Sequence, residues 1–181
     1  YLALNLQSMS QKSRVGIVGC GNISGIYLKN LPTFANLEVS AVADLDLDRA
    51  KAKAEEFGVA RTFSVEEMLA SDVDVIVNLT IPAAHSEIGL AALEAGKHVY
   101  NEKPLAIELE DARKMLELAK SKNLRVGCAP DTFLGAGLQT ARAVLDAGTI
   151  GQAVGAHAMM VSRGPEMWHP DPEFFFKRGA G

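Results

Sequence analysis

A short apolar run that ends in two glycines constrains the fold of this chain more than any other feature. In the segment RVGIVGCGNISG, the run Arg14–Val18 predicts a buried strand, and Gly19 and Gly21 follow it directly. The residues after the glycines predict a helix over Ile23–Leu31. Such a corner presents free main-chain N–H groups to an anionic ligand, but glycines also occur in tight turns that bind nothing. The corner is therefore either a site for a phosphate-bearing ligand or an ordinary turn of an α/β domain.

The chain as a whole alternates predicted strands with predicted helices through short connections. The predicted strands are Arg14–Val18, Leu37–Ala43, Val59–Phe63, Val73–Leu79, His98–Asn101, Arg125–Ala129 and Ala153–Val161. The predicted helices are Ile23–Leu31, Leu47–Phe57, Val65–Ala70, His85–Ala95, Ile107–Lys122 and Leu134–Ala147. This alternation predicts an α/β fold, a Rossmann-type doubly wound parallel sheet, followed by the start of a second α/β domain. Ligands of such sheets bind at the carboxyl ends of the strands.

Asp44 is the second residue that indicates a dinucleotide. It comes at the end of the second predicted strand, 23 residues after Gly21, where a carboxylate accepts hydrogen bonds from an adenosine ribose. A 2′-phosphate about 4 Å from this carboxylate is repelled by roughly 4 kcal/mol at a dielectric of about 20, so NAD is favoured over NADP. Arg49 leaves a phosphate partner open as an alternative, and Asp44 also fits the N-cap of the next helix. Ser24 stands at the third glycine position, which only requires a small side chain.

Composition argues against several classes of function. The net charge of −4 provides no basic surface for nucleic acid, and no run of about 18 apolar residues predicts a membrane-spanning helix. Cys20 and Cys128 occur without a secretion signal, which predicts reduced thiols in a cytoplasmic protein and packing as small core residues. Because His157, His169 and Asp171 do not have a zinc-site spacing, no metal is expected.

A second segment, LTIPAAHSEIGLAALEAGKHVYNEKPLA at residues 79–106, carries a family resemblance. Together with the glycine loop, it resembles the glucose–fructose oxidoreductase / inositol dehydrogenase (Gfo/Idh/MocA) family. The G-x-G-x-x, P-x-x-H and E-K-P elements occur in the family's order, and Glu102-Lys103-Pro104 is the most specific of them. The resemblance extends from about Arg14 to the end of the chain.

The resemblance implies a role for each matching position. It implies contacts with the pyrophosphate for Gly19, Gly21, Asn22 and Ile23, with the ribose for Asp44, and along the track from adenine to nicotinamide for Thr80, Ile81, Pro82 and His85. It also places Glu102 and Lys103 near the nicotinamide ribose, with Lys103 as the catalytic lysine at the substrate oxygen and a cis Lys103–Pro104 peptide bond. The structural alternatives are a solvent-facing helix position for His85 and a solvated surface position for Lys103.

The resemblance also implies an activity. The family's members are NAD(P)-dependent oxidoreductases of sugars, inositol and related polyols, and they associate as homo-oligomers when full length. The alternatives from the residues are a non-catalytic NAD-binding fragment or redox-sensing module, or a Rossmann domain for FAD or S-adenosylmethionine. Asp131 and Thr132 replace an arginine-bearing stretch of many members, which puts the standard sugar contacts in doubt.

The predicted domain organisation has three parts. We expect a tag-like leader over residues 1–8, an NAD-binding domain over 9–130, and the truncated beginning of a substrate and oligomerisation domain over 131–181. The family's acid/base histidine is then expected beyond Gly181. The predicted strand Ala153–Val161 has no neighbour and forms an open edge, so we expect the chain to associate or to be poorly ordered after about Ile150.

Overall fold

The computed structural model describes residues 12–169, 171–177 and 179. The predicted leader, residues 1–8, lies outside the described residues. The chain divides into two compact units, Tyr1–Ala129 and Pro130–Gly181.

The first unit contains a parallel sheet of six strands with helices between them. The strands are β1 Ser13–Val18, β2 Leu37–Ala43, β3 Thr62–Phe63, β4 Val75–Asn78, β5 His98–Asn101 and β6 Val126–Cys128. The helices are α1 Ser24–Asn30, α2 Leu47–Phe57, α3 Val65–Ala70, α4 Pro82–Glu94 and α5 Leu109–Ser121, and a 3₁₀ turn over Leu31–Thr33 follows α1. The strand order is β3-β2-β1-β4-β5-β6, and every pair is parallel. The predicted Rossmann-type α/β fold is confirmed.

The strand order reverses direction between β1 and β4, which determines where a ligand can bind. The chain moves from β1 outward through β2 to β3, and then crosses to β4 on the other side of β1. At such a switch point the connections after the two central strands diverge and leave a crevice at their carboxyl ends. The glycine corner after β1 and the turn after β4 therefore face each other.

Two apolar clusters lie among the elements of the sheet and its helices. One contains Val15 and Ile17 of β1 with Leu28 of α1 and the small residues Ala50 and Ala54 of α2. The other contains residues of β2, β4 and β5 with the buried side chains of α3, α4 and α5. Neighbouring residues of a strand point to opposite faces, so β1 contributes to both clusters and is buried on both sides.

Capping residues set several helix boundaries where the sequence predicts them. Ser64 accepts a hydrogen bond from the Glu67 N–H, and the Glu67 carboxylate accepts one from the Ser64 N–H, which is a complete capping box at the start of α3. Gly58 ends α2 in the left-handed conformation with φ 68°. In contrast, α4 begins at Pro82 and not at the predicted His85, because a proline at the first helical position is already preset for the helix.

The second unit contains helices but, within its described residues, no strand. A 3₁₀ turn over Thr132–Leu134 precedes α6, Ala136–Asp146, and two further 3₁₀ turns cover Pro165–Met167 and Pro172–Phe176. The predicted strand Ala153–Val161 is wrong: these residues are exposed and form no regular structure. A strand is stable only when its N–H and C=O groups pair with a neighbour, and the described residues of this unit supply none. The expected open edge, and the association argued from it, therefore lose their basis.

Candidate functional site

Gly19 makes the turn after β1 possible. Its φ is 100°, a conformation that side chains of L-residues rarely adopt. A Cβ at this position would lie 2.7 Å from the carbonyl carbon and oxygen of Leu79, the residue directly after β4. The Gly19 N–H donates to the Ala43 carbonyl at 2.8 Å. The corner therefore packs directly against the main chain of both neighbouring strands.

Gly21 differs from Gly19, because a Cβ there would meet nothing within 4 Å. The buried Ser24 hydroxyl donates to the Gly21 carbonyl at 2.7 Å, so serine fits the third glycine position, as predicted. Asn22 and Ile23 are exposed at the start of α1, and no side chain caps this helix. No side chain therefore covers the start of this helix, where the Ser24 N–H donates to the Gly21 carbonyl at 3.1 Å.

Asp44 is buried and its carboxylate faces the glycine corner. One oxygen accepts from the Cys20 N–H at 2.7 Å, and the other accepts from the Asp46 N–H at 2.9 Å. The N-cap of α2 is Asp46, whose carboxylate accepts from the N–H groups of Asp48 and Arg49. The alternative that Asp44 is the N-cap is therefore wrong.

Arg49 lies beside this carboxylate and is half exposed. Its guanidinium is 3.4 Å from an Asp44 oxygen and 3.4 Å from an Asp46 oxygen. The cation partly neutralises the carboxylate that the sequence assigns to the ribose. In this conformation Arg49 is paired with carboxylates, although its exposed position allows it to turn outward.

Cys20 has a structural role. The thiol is buried between the glycines and donates weakly to the Ala43 carbonyl at 3.5 Å. Burial, together with the nearby Asp44 charge, raises its pKa to about 11. The neutral thiol is a small core group at physiological pH, as the sequence predicts for Cys20.

A cavity of about 350 Å³ lies between the glycine corner, Asp44 and the turn after β4. The predicted residues that line it are Gly19, Gly21, Asp44, Arg49, Thr80 and Ile81. The lining residues that the sequence analysis missed are Val18, Leu45, Val65, Leu79, Ala84, Glu87 and Ile88. Ala84, Glu87 and Ile88 have the spacing of one helix face, so a helix that begins at Pro82 would have identified them.

The Glu102-Lys103-Pro104 segment follows β5. The Glu102 carboxylate accepts from the Tyr27 hydroxyl at 2.9 Å and from the Lys103 N–H at 2.7 Å. Tyr27 belongs to α1 and was missed by the sequence analysis. The Lys103–Pro104 peptide bond is cis, as predicted. The Lys103 side chain is exposed, and its ammonium forms no ion pair with any residue that the structure describes.

His85 lies in the first turn of α4 and has no exposed surface, so the solvent-facing alternative is wrong. Its Nδ1 is 2.6 Å from the Pro104 carbonyl oxygen, and its Nε2 is 2.9 Å from the Thr80 carbonyl oxygen. Pro82 is buried at the first position of the same helix. The predicted track residue His85 thus contacts the main chain behind the track and does not line the cavity.

Comparison with known proteins now identifies the family. Residues 13–129 match the family described as "Oxidoreductase family, NAD-binding Rossmann fold". The chain belongs to the Gfo/Idh/MocA family. The matched range contains β1 to β6 and every residue of the cavity.

Individual Gfo/Idh/MocA relatives match most of the chain. The inositol 2-dehydrogenase 3 of Saccharopolyspora erythraea is 36% identical over 149 residues, which cover 81% of this chain and 44% of the relative. The 1,5-anhydro-D-fructose reductase of Ensifer adhaerens is 33% identical over 146 residues, which cover 80% and 44%. The crystal structure of the WlbA dehydrogenase from Bordetella pertussis in complex with NADH and UDP-GlcNAcA is similar, with a TM-score of 0.73 and 26% identity over 78% of this chain and 44% of that one.

The chain spans less than half the length of these curated relatives. Within residues 12–169, 171–177 and 179, no helix combines the length and apolar character needed to cross a membrane.

Proposed function

We propose that this chain is the cofactor-binding part of an NAD(P)-dependent oxidoreductase that transfers a hydride between a nicotinamide cofactor and a CH–OH group of a sugar, inositol or related polyol. The observation that carries the proposal is the open cavity between Gly21 and Asp44 at the switch point of the sheet. In that cavity, NAD is the preferred cofactor.

The residues around the cavity fit a dinucleotide. The open space at Gly21 lets a diphosphate approach the main chain, next to the N–H groups of Asn22 and Ile23. Asp44 retains lone pairs for ribose hydroxyls, because a carboxylate offers about four acceptor sites. The apolar side chains of Leu45 and Ile81 are exposed at the cavity and fit an adenine face.

Lys103 is the residue we assign to the chemical step. When bound, the nicotinamide ring supplies the hydride acceptor or donor. Oxidation removes a hydride from the carbinol carbon and a proton from its hydroxyl, so the oxygen carries developing negative charge. The Lys103 ammonium, which forms no ion pair with any described residue, stabilises that charge. It releases one of its own protons to solvent and takes up the hydroxyl proton in its place, and in the reverse direction it donates a proton to the oxygen.

Asp44 and Arg49 together set the preference between NAD and NADP. The buried carboxylate repels a 2′-phosphate, which favours NAD. Arg49 lies at 3.4 Å from it and reduces that repulsion, so we expect NADP to bind more weakly and not to be excluded.

The substrate class, the location and the assembly are part of the same proposal. The names of the two curated relatives, an inositol dehydrogenase and an anhydrofructose reductase, support a polyol or sugar substrate. The free thiols of Cys20 and Cys128 support a reducing, cytoplasmic location. A homo-oligomer of the full-length protein is proposed from the family resemblance alone.

A titration followed by nicotinamide fluorescence tests the proposal. NADH added to the chain should give saturable binding, and NADPH should bind several-fold more weakly. FAD and S-adenosylmethionine serve as competitors that should not displace NADH. The absence of NADH binding at millimolar concentration, or its displacement by either competitor, would overturn the assignment.

A further inference from the structure

Three polar side chains form a buried cluster beneath the cavity and the Lys103 segment. Asn78 ends β4, Asn101 ends β5, and His85 lies in the first turn of α4. Each of the three has a relative accessible surface of 0%. Asn78 and Asn101 are direct neighbours in the β4–β5 pairing. The three residues are called the polar cluster below.

Asn78 connects the polar cluster to the turn after β4. Its side-chain oxygen accepts from the Thr80 N–H at 3.2 Å and from the Thr80 hydroxyl at 2.7 Å. Its amide nitrogen donates to the His85 carbonyl at 3.2 Å and to the Asn101 side-chain oxygen at 3.1 Å. An asparagine amide has two donors and two acceptor sites, so all four are used.

Asn101 connects the polar cluster to the segment after β5. Its amide nitrogen donates to the His85 carbonyl at 3.2 Å and to the Leu105 carbonyl at 3.0 Å. The Leu105 carbonyl comes directly after Pro104, whose own carbonyl is 2.6 Å from the His85 Nδ1. Two consecutive main-chain carbonyls of the Lys103 segment, those of Pro104 and Leu105, therefore contact side chains of the polar cluster.

The His85 ring joins the two connections. One nitrogen faces the Pro104 carbonyl and the other faces the Thr80 carbonyl at 2.9 Å. These groups belong to loops after different strands, and both loops flank the site. Burying three polar side chains costs free energy unless each is hydrogen-bonded, and the described structure leaves no buried side-chain N or O atom without a partner. A satisfied polar network specifies one arrangement of its partners, which an apolar core of the same size does not.

We propose that Asn78, His85 and Asn101 are positioning residues that fix the main chain of Thr80 and of Glu102–Leu105, and so set the placement of Lys103 relative to the cavity. The inference rests on the proposed function for the role of Lys103. None of the three lines the cavity, so they act through the main chain they hold.

Hydrogen exchange of the cofactor-free chain tests directly whether the polar cluster fixes the main chain of the two loops. His85→Leu keeps a buried apolar group of similar size but no donor, whereas His85→Gln retains hydrogen-bond donors through its side-chain amide. We expect His85→Leu to exchange about tenfold faster over residues 78–82 and 101–107, with β2 unchanged, and His85→Gln to fall between it and the unmodified chain. Met115→Leu is the matched control, because Met115 is also fully buried and contributes no hydrogen bond to the polar cluster. Equal exchange in His85→Leu and Met115→Leu, or in His85→Leu and His85→Gln, would overturn the inference.

A milder variant covers the case in which His85→Leu does not fold. Thr80→Val removes only the hydroxyl that donates to Asn78, from a side chain that is partly exposed. Hydrogen exchange should become faster over residues 78–82 and stay the same over 101–107. Unchanged exchange over 78–82 would contradict the proposal.

NADH binding separates this inference from the proposed function. The affinity of the unmodified chain tests the function, and the exchange pattern tests the polar cluster without any cofactor. If both hold, His85→Leu weakens NADH binding by several-fold more than Met115→Leu does. An equal loss of affinity in the two variants would contradict a positioning role.

Discussion

At the scale of single residues, the two glycines of the corner serve different purposes. Gly19 has a positive φ and lies against the Leu79 main chain, so the fold itself requires it. Gly21 has open space where its Cβ would be, and that space belongs to the cavity. The first glycine is needed for the turn and the second for the ligand.

Alanine at each glycine separates the two purposes. Gly19→Ala should lower the free energy of unfolding by about 3 kcal/mol or more, because backbone strain adds to a main-chain clash. Gly21→Ala should leave unfolding within about 1 kcal/mol of the unmodified chain but weaken NADH binding at least tenfold. Urea unfolding and NADH titration of both variants measure the contrast. A stable Gly19→Ala, or a Gly21→Ala that binds NADH normally, would contradict this account.

Asp44→Asn tests the carboxylate at the ribose. Loss of the charge should weaken NADH binding by about tenfold, because hydrogen bonds to charged groups contribute about 1.5–3 kcal/mol. It should also reduce the difference in affinity between NADH and NADPH, because the carboxylate no longer repels the 2′-phosphate. Asp48→Asn is the control, since that side chain lies four residues after Asp44, in the first turn of α2, and is 92% exposed. Titrations with both cofactors decide the point, and an unchanged NADH/NADPH ratio in Asp44→Asn would refute the assignment.

At the scale of elements, the start of α3 fixes one wall of the cavity. Val65 is the first residue of this helix and lines the cavity, and the capping box of Ser64 and Glu67 holds the helix there. The helix is only 6 residues long, so its caps carry a large share of its stability.

Ser64→Ala should therefore destabilise the chain by about 1 kcal/mol. The matched control is Ser121→Ala, at the exposed end of α5, which should change stability by less than about 0.5 kcal/mol. Urea denaturation compares the two, and an equal effect would show that the capping box does not stabilise α3.

Elements with strong local signals were predictable from the sequence, and those that depend on distant partners were not. β2, α2 and β5 have the predicted bounds, and the ends of α2 are set locally by Asp46 and Gly58. Ala153–Val161 is a mostly apolar run, but the described residues of its unit contain no strand with which it could pair. Gly19, Gly21 and Asp44 were found from their spacing along one strand–helix–strand unit.

Other contacts of the site could be predicted only from the order of the strands in the sheet. Tyr27 and Glu102 are 75 residues apart in sequence and meet only because α1 and the end of β5 lie on the same edge of the sheet. Asn78 and Asn101 become neighbours only when β4 pairs with β5. His85 lies in the first turn of α4 because that helix begins at Pro82, a local start signal that the predicted boundary did not use.

At the scale of the whole molecule, an ion-pair network joins strands at the edge opposite the cavity. Arg14 at the start of β1 pairs with Asp72 and Asp74, and Arg61 pairs with Asp72 at 2.7 Å. The hydrogen bonds from Arg14 lower the pKa of Asp74, and the Arg61 hydrogen bond lowers that of Asp72.

This network makes the free energy of unfolding depend on pH. A carboxyl whose folded pKa is lowered stabilises the fold above its unfolded pKa of about 3.9, and that contribution is lost as the pH falls toward the folded pKa. Urea unfolding at pH 7 and at pH 3 measures how much the free energy of unfolding falls with pH. This decrease should be smaller for Asp74→Asn than for the unmodified chain. Asp48→Asn should lose as much as the unmodified chain. An Asp74→Asn variant with an undiminished acid loss would contradict this assignment.

The central claim is that the main chain after β1 and the Asp44 carboxylate bind one dinucleotide. The most direct measurement is the ¹⁵N–¹H NMR spectrum of the labelled chain during a titration with NAD⁺. The account predicts saturable shifts concentrated at the amides of residues 19–24, 44–45 and 80–81. Spectra that do not change at millimolar NAD⁺, or that change only outside these residues, would contradict it.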